Sequence, residues 1–298
     1  MSNESNKNIN IKSFIEPVKI TEGQTHIEPP FKWIGGKRRL VKEIIKLFPN
    51  SYTTLYEIFF GAGALTFYIQ PKNVVINDRN PELINFYYVV KNNVDDLIEI
   101  IKTYQISRDV FYYLRNLDRD KEIFEKLTNV ERAARIFYIV TYNFNGSLAS
   151  NLKGQINLSP SPKCLKNIKL ENQFTKLKII SNYLNNNNVT IFNNDFNDIL
   201  ENITDKNCFI YLDPPYYLVN KKAKNGINTY YGNIFDENNQ RRLKESCDSL
   251  TKRGIRFLQS NTNCELIREL YSDYTIVEVE LFNPMNKKHI IEIFIKNY

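Results

Sequence analysis

Short apolar runs and longer segments of helical spacing alternate along this chain of 298 residues. The runs that favour β structure lie at 54–60, 73–78, 189–192, 208–212, 255–259, 274–281 and 290–295. Between several of them, apolar residues recur at the spacing of an amphipathic helix. Strands that alternate with helices predict a largely parallel sheet that is covered on both faces, which is an α/β fold.

The pattern changes between Asn80 and about Asn188, where helical spacing dominates. Within this region, 142–158 carries the turn signals Asn145-Gly146 and Lys153-Gly154 and predicts a hairpin or extended loop. We therefore expect a polar N-terminal tail over 1–28, an α/β domain over 29–79 and 189–298, and a mainly helical insertion with a β-hairpin over 80–188.

The last third of the chain carries three further predictions. A polar, lysine-rich loop is expected from Leu218 to Tyr231, and a helix from about Asp236 to Lys252. The pair Ser260-Asn261 is expected to open another helix that runs through Leu270.

The run 208–212 ends abruptly at Asp213-Pro214-Pro215-Tyr216, because two prolines cannot continue a strand ladder. The sequence thus predicts a carboxylate at the carboxyl end of a buried strand, the edge where α/β sheets bind ligands. A carboxylate and a proline carbonyl can accept two hydrogen bonds from one amino group, and a ring can stack on a planar base. Asp213, Pro214, Pro215 and Tyr216 are the candidate catalytic residues. A strand-ending turn with aromatic packing is the alternative.

Further candidate residues stand at other strand ends and at one helix start. Gly61 and Gly63 form a strand-to-helix turn, and Asp78 ends the next strand, where it could accept bonds from ribose hydroxyls. A nicotinamide-binding fold would look similar, but Thr66 occupies its third glycine position. The residue pattern itself offers six candidates for ligand binding: Lys37, Gly61, Gly63, Asp78, Asp195 and Phe196.

Composition narrows the function classes. With only two histidines and four scattered cysteines, the chain offers neither a His-based triad nor a zinc site, so no metal is expected. The cysteines are expected to be reduced thiols, which indicates a cytoplasmic protein. No apolar run is long enough to span a membrane. The net charge of +7 favours an anionic partner, although lysine-rich chains also arise from compositional bias.

The ordered segments Phe31-Lys-Trp-Ile-Gly-Gly-Lys37, Glu57-Ile-Phe-Phe-Gly-Ala-Gly63, Asn77-Asp78, Asp195-Phe196 and Asp213-Pro-Pro-Tyr216 resemble the Dam-type DNA adenine-N6 methyltransferases. The resemblance implies a Rossmann-like domain that uses S-adenosylmethionine and an inserted target-recognition domain. It further implies that Trp33, Lys37, Asp78 and Asp213 contact S-adenosylmethionine, with Phe59, Gly61 and Gly63 in the loop around it. By the same resemblance, Asp195 and Phe196 hold the cofactor's adenine, and Asp213, Pro214 and Tyr216 clamp the target base. Double-stranded DNA is the expected partner, and a cognate restriction nuclease is a further candidate.

The expected DNA-binding residues lie on the hairpin and on the loop after Tyr217. They are Asn145, Ser147, Asn151, Lys153, Lys221, Lys222 and Lys224. Lysines would contact phosphates and the amides would read bases; for the lysines of the loop, a solvated surface is a serious alternative.

The sequence also departs from the family pattern. Ile58 replaces the usual proline, Ala149 an arginine, and Leu158-Ser159 a Val-Pro pair. The last two changes fall on the predicted hairpin and leave the target sequence open. A catalytically inactive nucleic-acid-binding protein and an RNA or protein methyltransferase therefore remain alternatives.

Overall fold

A seven-stranded sheet forms the centre of the computed structural model, which describes residues 25–33, 35–144, 151, 153–217, 229–230, 233–283 and 288–298. The strands of the described residues are β1 Leu55–Glu57, β2 Asn73–Asn77, β3 Asn188–Phe192, β4 Phe209–Leu212, β5 Thr229–Tyr230, β6 Asn233–Ile234, β7 Arg256–Thr262, β8 Thr275–Asn283 and β9 Lys288–Lys296. The α-helices of the same residues are α1 Val41–Lys46, α2 Ala64–Ile69, α3 Pro81–Asn92, α4 Val94–Lys102, α5 Arg108–Asn116, α6 Lys121–Lys126, α7 Asn129–Tyr142, α8 Pro162–Asn167, α9 Leu170–Asn186, α10 Phe196–Glu201, α11 Glu237–Lys252 and α12 Glu265–Leu270. Two short 3-10 helices span Lys37–Arg39 and Leu117–Arg119.

The sheet has the order β3-β2-β1-β4-β7-β9-β8. Its first five strands pair in parallel, whereas β9 runs antiparallel to both β7 and β8. The predicted α/β architecture is therefore confirmed. Because the parallel strands share one direction, β1, β2 and β4 present their carboxyl ends at the same edge.

Both faces of the sheet are covered, as strand β4 shows most directly. Phe209 and Tyr211 belong to a core shared with α1, α2, α3, α7 and α9. Ile210 and Leu212 belong to a second core with α10, α11 and α12. Alternate residues of one strand thus face opposite layers, which explains why the run at 208–212 is continuously apolar.

The helices of the predicted insertion pack closely on one another and on the sheet. The buried side chains of α3, α7 and α9 belong to the same core as those of β1 and β2. Arg135 of α7 is fully buried and donates to the carbonyl oxygens of Leu114 (2.7 Å) and Arg115 (3.2 Å). Its guanidinium also pairs with Asp118 at 2.7 Å, and Asp118 accepts the backbone N–H of Ile156 at the base of the predicted hairpin.

Two predictions of local structure were wrong. Ser260 and Asn261 do not open a helix; they continue β7 and pair with Phe294 and Ile293 of β9, so the helix begins only at Glu265. Their side chains are buried and hydrogen-bonded inside the sheet, which removes the helix-capping role that their residue types favour elsewhere. The polar loop predicted to Tyr231 also contains β5, which pairs with β6.

Of the predicted hairpin, the structure describes the ends and the turn. Asn143 forms an antiparallel bridge with Pro160, and Phe144 donates its N–H to the carbonyl of Ser159 at 3.4 Å. Asn145 and Ser147 lie outside the described residues, as do Ala149, Lys221, Lys222 and Lys224. Within the described part of the chain, no helix is both long and apolar enough to cross a membrane.

Candidate active site

A cavity of about 290 Å³ opens at the carboxyl ends of β1, β2 and β4. The predicted residues that line it are Trp33, Lys37, Phe59, Gly61, Asp78, Asp195, Phe196, Asp213, Pro214, Pro215 and Tyr216. Gly63 does not line the cavity; it precedes α2 and packs against the rings of Phe60 and Phe67. The topology thus brings together residues that are far apart in the sequence.

The turn after β1 is tied to the end of β2 by Asp78. One carboxylate oxygen accepts the N–H of Gly61 at 2.9 Å, and the other accepts the N–H of Asn80 at 3.0 Å. Burial raises the pKa of Asp78, while these two hydrogen bonds act in the opposite direction. The carboxylate is thereby fixed at the cavity wall with lone pairs left for a ligand's hydroxyl groups.

Glu57, the last residue of β1, also lines the cavity and was not among the predicted site residues. It accepts the N–H of Thr66 at 3.1 Å and the Thr66 hydroxyl at 2.5 Å. Burial outweighs both hydrogen bonds and raises the pKa of Glu57 to about 8. The sequence signal was its place in the glycine-containing segment, directly before the turn.

Asp213 lies next to a buried ammonium group. The Lys37 Nζ is 2.9 Å from Asp213 Oδ1, and the Lys37 side chain is only 5% exposed. The Ser260 hydroxyl donates to the same Asp213 oxygen at 2.7 Å. Lys37 also donates to the carbonyl of Gly35 at 3.0 Å. The contacts with Lys37 and Ser260 hold Oδ1 of Asp213 and thereby orient its carboxylate.

The turn after Asp213 is held by a chain of two buried amides. Gln240 of α11 donates to the carbonyl of Pro215 at 3.0 Å and accepts from Asn261 Nδ2 at 3.1 Å. Gln240 and Asn261 are both fully buried. Gln240 thus contacts the carbonyl of Pro215 rather than that of Pro214.

Three aromatic rings form the other end of the cavity. Ring centroids lie 5.7 Å apart for Phe59 and Phe196, 5.8 Å for Phe59 and Phe235, and 6.0 Å for Phe196 and Phe235. Such a cluster offers apolar faces to a planar heterocycle. Phe235 follows the short β6 strand and was not predicted as a site residue.

Asp195 stands beside these rings with its carboxylate already in use. It accepts from Arg79 Nη1 at 2.9 Å and from Arg242 Nη2 at 3.0 Å. The Arg242 guanidinium also lies 5.1 Å from the centroid of the Phe196 ring. A ligand's amino group would therefore share Asp195 with Arg79 and Arg242. The sequence pattern did not indicate either arginine.

A sequence profile of the D12 class N6 adenine-specific DNA methyltransferases matches residues 33–285. The chain belongs to this family. The D12 match covers every residue of the cavity wall named above, and it makes the chain an adenine-specific DNA methyltransferase that requires a methyl donor.

Curated relatives of this D12 methyltransferase extend over nearly its whole length. It is 36% identical to the type II methyltransferase M1.LlaDCHI of Lactococcus lactis subsp. cremoris, over 94% of this chain and 98% of the relative. It is 31% identical to the type II methyltransferase M.MjaIII of Methanocaldococcus jannaschii, over 91% and 99%. The DNA adenine methylase of Haemophilus influenzae is 32% identical, over 89% and 93%.

One departure from the family pattern has a structural role in this methyltransferase. Ile58 donates its N–H to the carbonyl of Tyr211 at 3.3 Å, a bond that proline could not make. Its side chain is fully buried in the core shared with α10 and α11. The replacement therefore adds a sheet contact directly before the ligand-binding turn.

On the predicted DNA-binding side, Asn151 and Lys153 lie in a tight turn. The Asn151 side-chain oxygen accepts the N–H groups of Lys153 (2.9 Å) and Gln155 (3.1 Å). Its Nδ2 donates to the Gln155 side chain at 2.9 Å. Asn151 thus supports the turn through its own amide, and it could read a base only by exchanging some of these bonds.

Proposed function

We propose that this enzyme transfers a methyl group from S-adenosylmethionine to N6 of an adenine within a specific sequence of double-stranded DNA. The observation that carries the proposal is the position of Asp213. It directly follows β4, lies beside the buried Lys37 and opens onto the cavity walled by Asp78 and the three aromatic rings. The donor site and the acceptor of the amino hydrogens are therefore adjacent.

The cavity wall fits the three parts of S-adenosylmethionine. Asp78 would accept from the ribose hydroxyls, because its carboxylate is fixed by two backbone N–H groups. Phe59, Phe196 and Phe235 would enclose the adenine. Lys37 would neutralise the carboxylate of the methionine part. The acidic residues of the cavity wall would accept hydrogen bonds from the amino group of the ligand's methionine part.

The mechanism follows from what the residues around Asp213 can do. S-adenosylmethionine, when bound, supplies a methyl group that a positive sulfur has already activated. The target adenine leaves the duplex and stacks on Tyr216, and Asp213 and the Pro214 carbonyl accept the two N6 hydrogens. N6 becomes positive as it takes up the methyl group. The Asp213 carboxylate would stabilise this charge and accept a hydrogen bond from the N6 proton, which then passes from N6 to water.

A transfer assay with Asp213→Ala tests this assignment. The variant should keep the fold, as thermal unfolding would show, and lose methyl transfer to duplex DNA. Asp273→Ala, at an exposed site, is the matched control. Retained transfer by Asp213→Ala would overturn the catalytic role.

The choice of cofactor is tested by calorimetry on the intact protein. S-adenosylhomocysteine should bind, and Asp78→Ala should weaken that binding by about tenfold or more, because an acceptor for charged hydrogen bonds is lost. Absence of binding by the wild type would refute S-adenosylmethionine as the donor.

We propose further that 80–188 is the target-recognition domain and that DNA lies across it and the loop after Tyr217. Neutralising Lys221, Lys222 and Lys224 together should weaken binding similarly for all duplexes and reduce its salt dependence. Changing Asn151 should instead alter the methylated site. Single-stranded RNA competes poorly if duplex DNA is the substrate, and equal competition would favour an RNA methyltransferase.

Two of the relatives are named type II methyltransferases. We propose that this enzyme likewise protects one short sequence against a cognate nuclease. Methylation-sensitive sequencing of DNA treated with the protein should reveal a single short motif; methylation of adenines without regard to sequence would contradict the proposal.

A further inference from the structure

Glu292 joins the catalytic turn from the C-terminal part of the sheet. It lies on β9, opposite Thr262 of β7. Its Oε2 accepts the hydroxyl of Tyr216 at 2.7 Å and lies 3.7 Å from the Lys37 Nζ. No feature of the sequence pattern pointed to Glu292.

The Tyr216 ring is held from two sides. The Lys37 ammonium lies 4.5 Å from the ring centroid, and the hydroxyl is bonded to Glu292. Burial, together with the nearby charges of Asp213 and Glu292, holds the pKa of Tyr216 well above its ordinary value. The hydroxyl therefore remains a donor, and the bond to a carboxylate is stronger than one between neutral groups.

Lys37 links Glu292 to Asp213 as well as to the Tyr216 ring. Its ammonium stands between two carboxylates, at 2.9 Å from Asp213 and 3.7 Å from Glu292. Glu292, Lys37 and Asp213 therefore form one connected polar group around Tyr216.

We propose that Glu292 is a positioning residue for the target base: through its bond to the Tyr216 hydroxyl, it fixes the ring on which the adenine stacks. The inference rests on the proposed roles of Tyr216 and Asp213. It makes β9 part of the catalytic apparatus. Glu292 acts through Tyr216, since its nearest described contacts are to that hydroxyl and to Lys37.

The alternative is that Glu292 only ties β9 to the turn and stabilises the fold. The two readings differ in single-turnover kinetics. A positioning residue should slow methyl transfer while leaving the affinities for S-adenosylhomocysteine and DNA unchanged. A residue that serves only the fold should lower the melting temperature without a selective effect on the rate.

The experiment combines Glu292→Gln, Tyr216→Phe and the double variant, with the exposed Glu245→Gln as matched control. Each single variant should slow single-turnover transfer by about tenfold. Tyr216→Phe removes the bond, whereas Glu292→Gln replaces its charged acceptor by the weaker, neutral oxygen of an amide. Glu292→Gln should cost clearly less in the Tyr216→Phe background, because its partner hydroxyl is already absent. Glu245→Gln should match the wild type.

Two results would overturn the inference: a wild-type rate for Glu292→Gln, or the same fold loss with and without the Tyr216 hydroxyl. If Glu292→Gln does not fold, Tyr216→Phe removes the same bond, and a wild-type rate for it is equally decisive. Inactive wild-type protein, or active Asp213→Ala, would instead refute the proposed function itself. The two failures are therefore distinguishable.

Discussion

Replacing Gly61 by alanine tests how the ligand-binding turn is built. Gly61 has a φ of +52°, in the left-handed region that favours glycine, and its N–H donates to Asp78. An added Cβ would lie 2.8 Å from Cδ1 and 2.9 Å from Nε1 of the Trp33 ring. Carbon atoms pack best at about 3.5–4.0 Å, so the ring or the turn must move by on the order of 1 Å.

Gly254 provides the matched control. Its φ is +72°, and an added Cβ would meet no atom within 4 Å. Both alanine variants should therefore lose about 1–2 kcal/mol of folding free energy from the left-handed backbone alone. Only Gly61→Ala should also distort the cavity, since Trp33 and Gly61 both line it.

The assay measures stability and binding separately. Thermal unfolding should show a loss for both variants, and a larger one for Gly61→Ala. Calorimetry with S-adenosylhomocysteine should show an affinity about tenfold or more lower for Gly61→Ala only, in line with the cost of small misplacements in a binding site. Trp33 is the only tryptophan of the chain, so its fluorescence reports the ring shift directly. Equal affinity in the two variants would refute the reasoning.

Three other changes have defined outcomes. Glu57→Gln should alter the pH dependence of stability. Because the buried carboxyl of Glu57 favours its neutral form, the wild type loses stability as the pH rises from the ordinary pKa of 4.5 through about 8. Thermal unfolding of the variant should lack that loss. Ser260→Ala removes the hydroxyl bound to Asp213 and should lower kcat by about tenfold with little change in KM, as steady-state assays would show. Phe235→Leu should lower the calorimetric affinity for S-adenosylhomocysteine by a few-fold, because an aromatic face is lost; an unchanged pH profile, kcat or affinity would contradict the respective prediction.

The parallel part of the fold could be predicted because each strand carries its own signal. Asp78 and Asp213 each follow a short apolar run, and parallel strands place such ends at one edge whatever their order. The cavity wall formed by these residues therefore did not depend on knowing the strand order.

The C-terminal part could not be predicted in the same way. The β-favouring runs at 274–281 and 290–295 predict the two last strands, but such runs do not reveal that β9 lies between β7 and β8. Only this order brings Glu292 to Tyr216. Likewise, Asp195 is bonded by Arg79, which follows β2, and by Arg242 of α11. No local sequence pattern links these two arginines.

The end of β7 shows how a wrong local prediction bears on function. Neighbouring residues of a strand point to opposite faces, so Ser260 and Asn261 approach the catalytic turn from different sides. Ser260 donates to the carboxylate of Asp213, which precedes the two prolines. Asn261 donates to Gln240, and Gln240 donates to the carbonyl of Pro215, the second proline. A helix starting at Ser260 would break both contacts. Because these buried polar groups bond one another instead of water, the strand continues through them and fixes the orientation of Asp213.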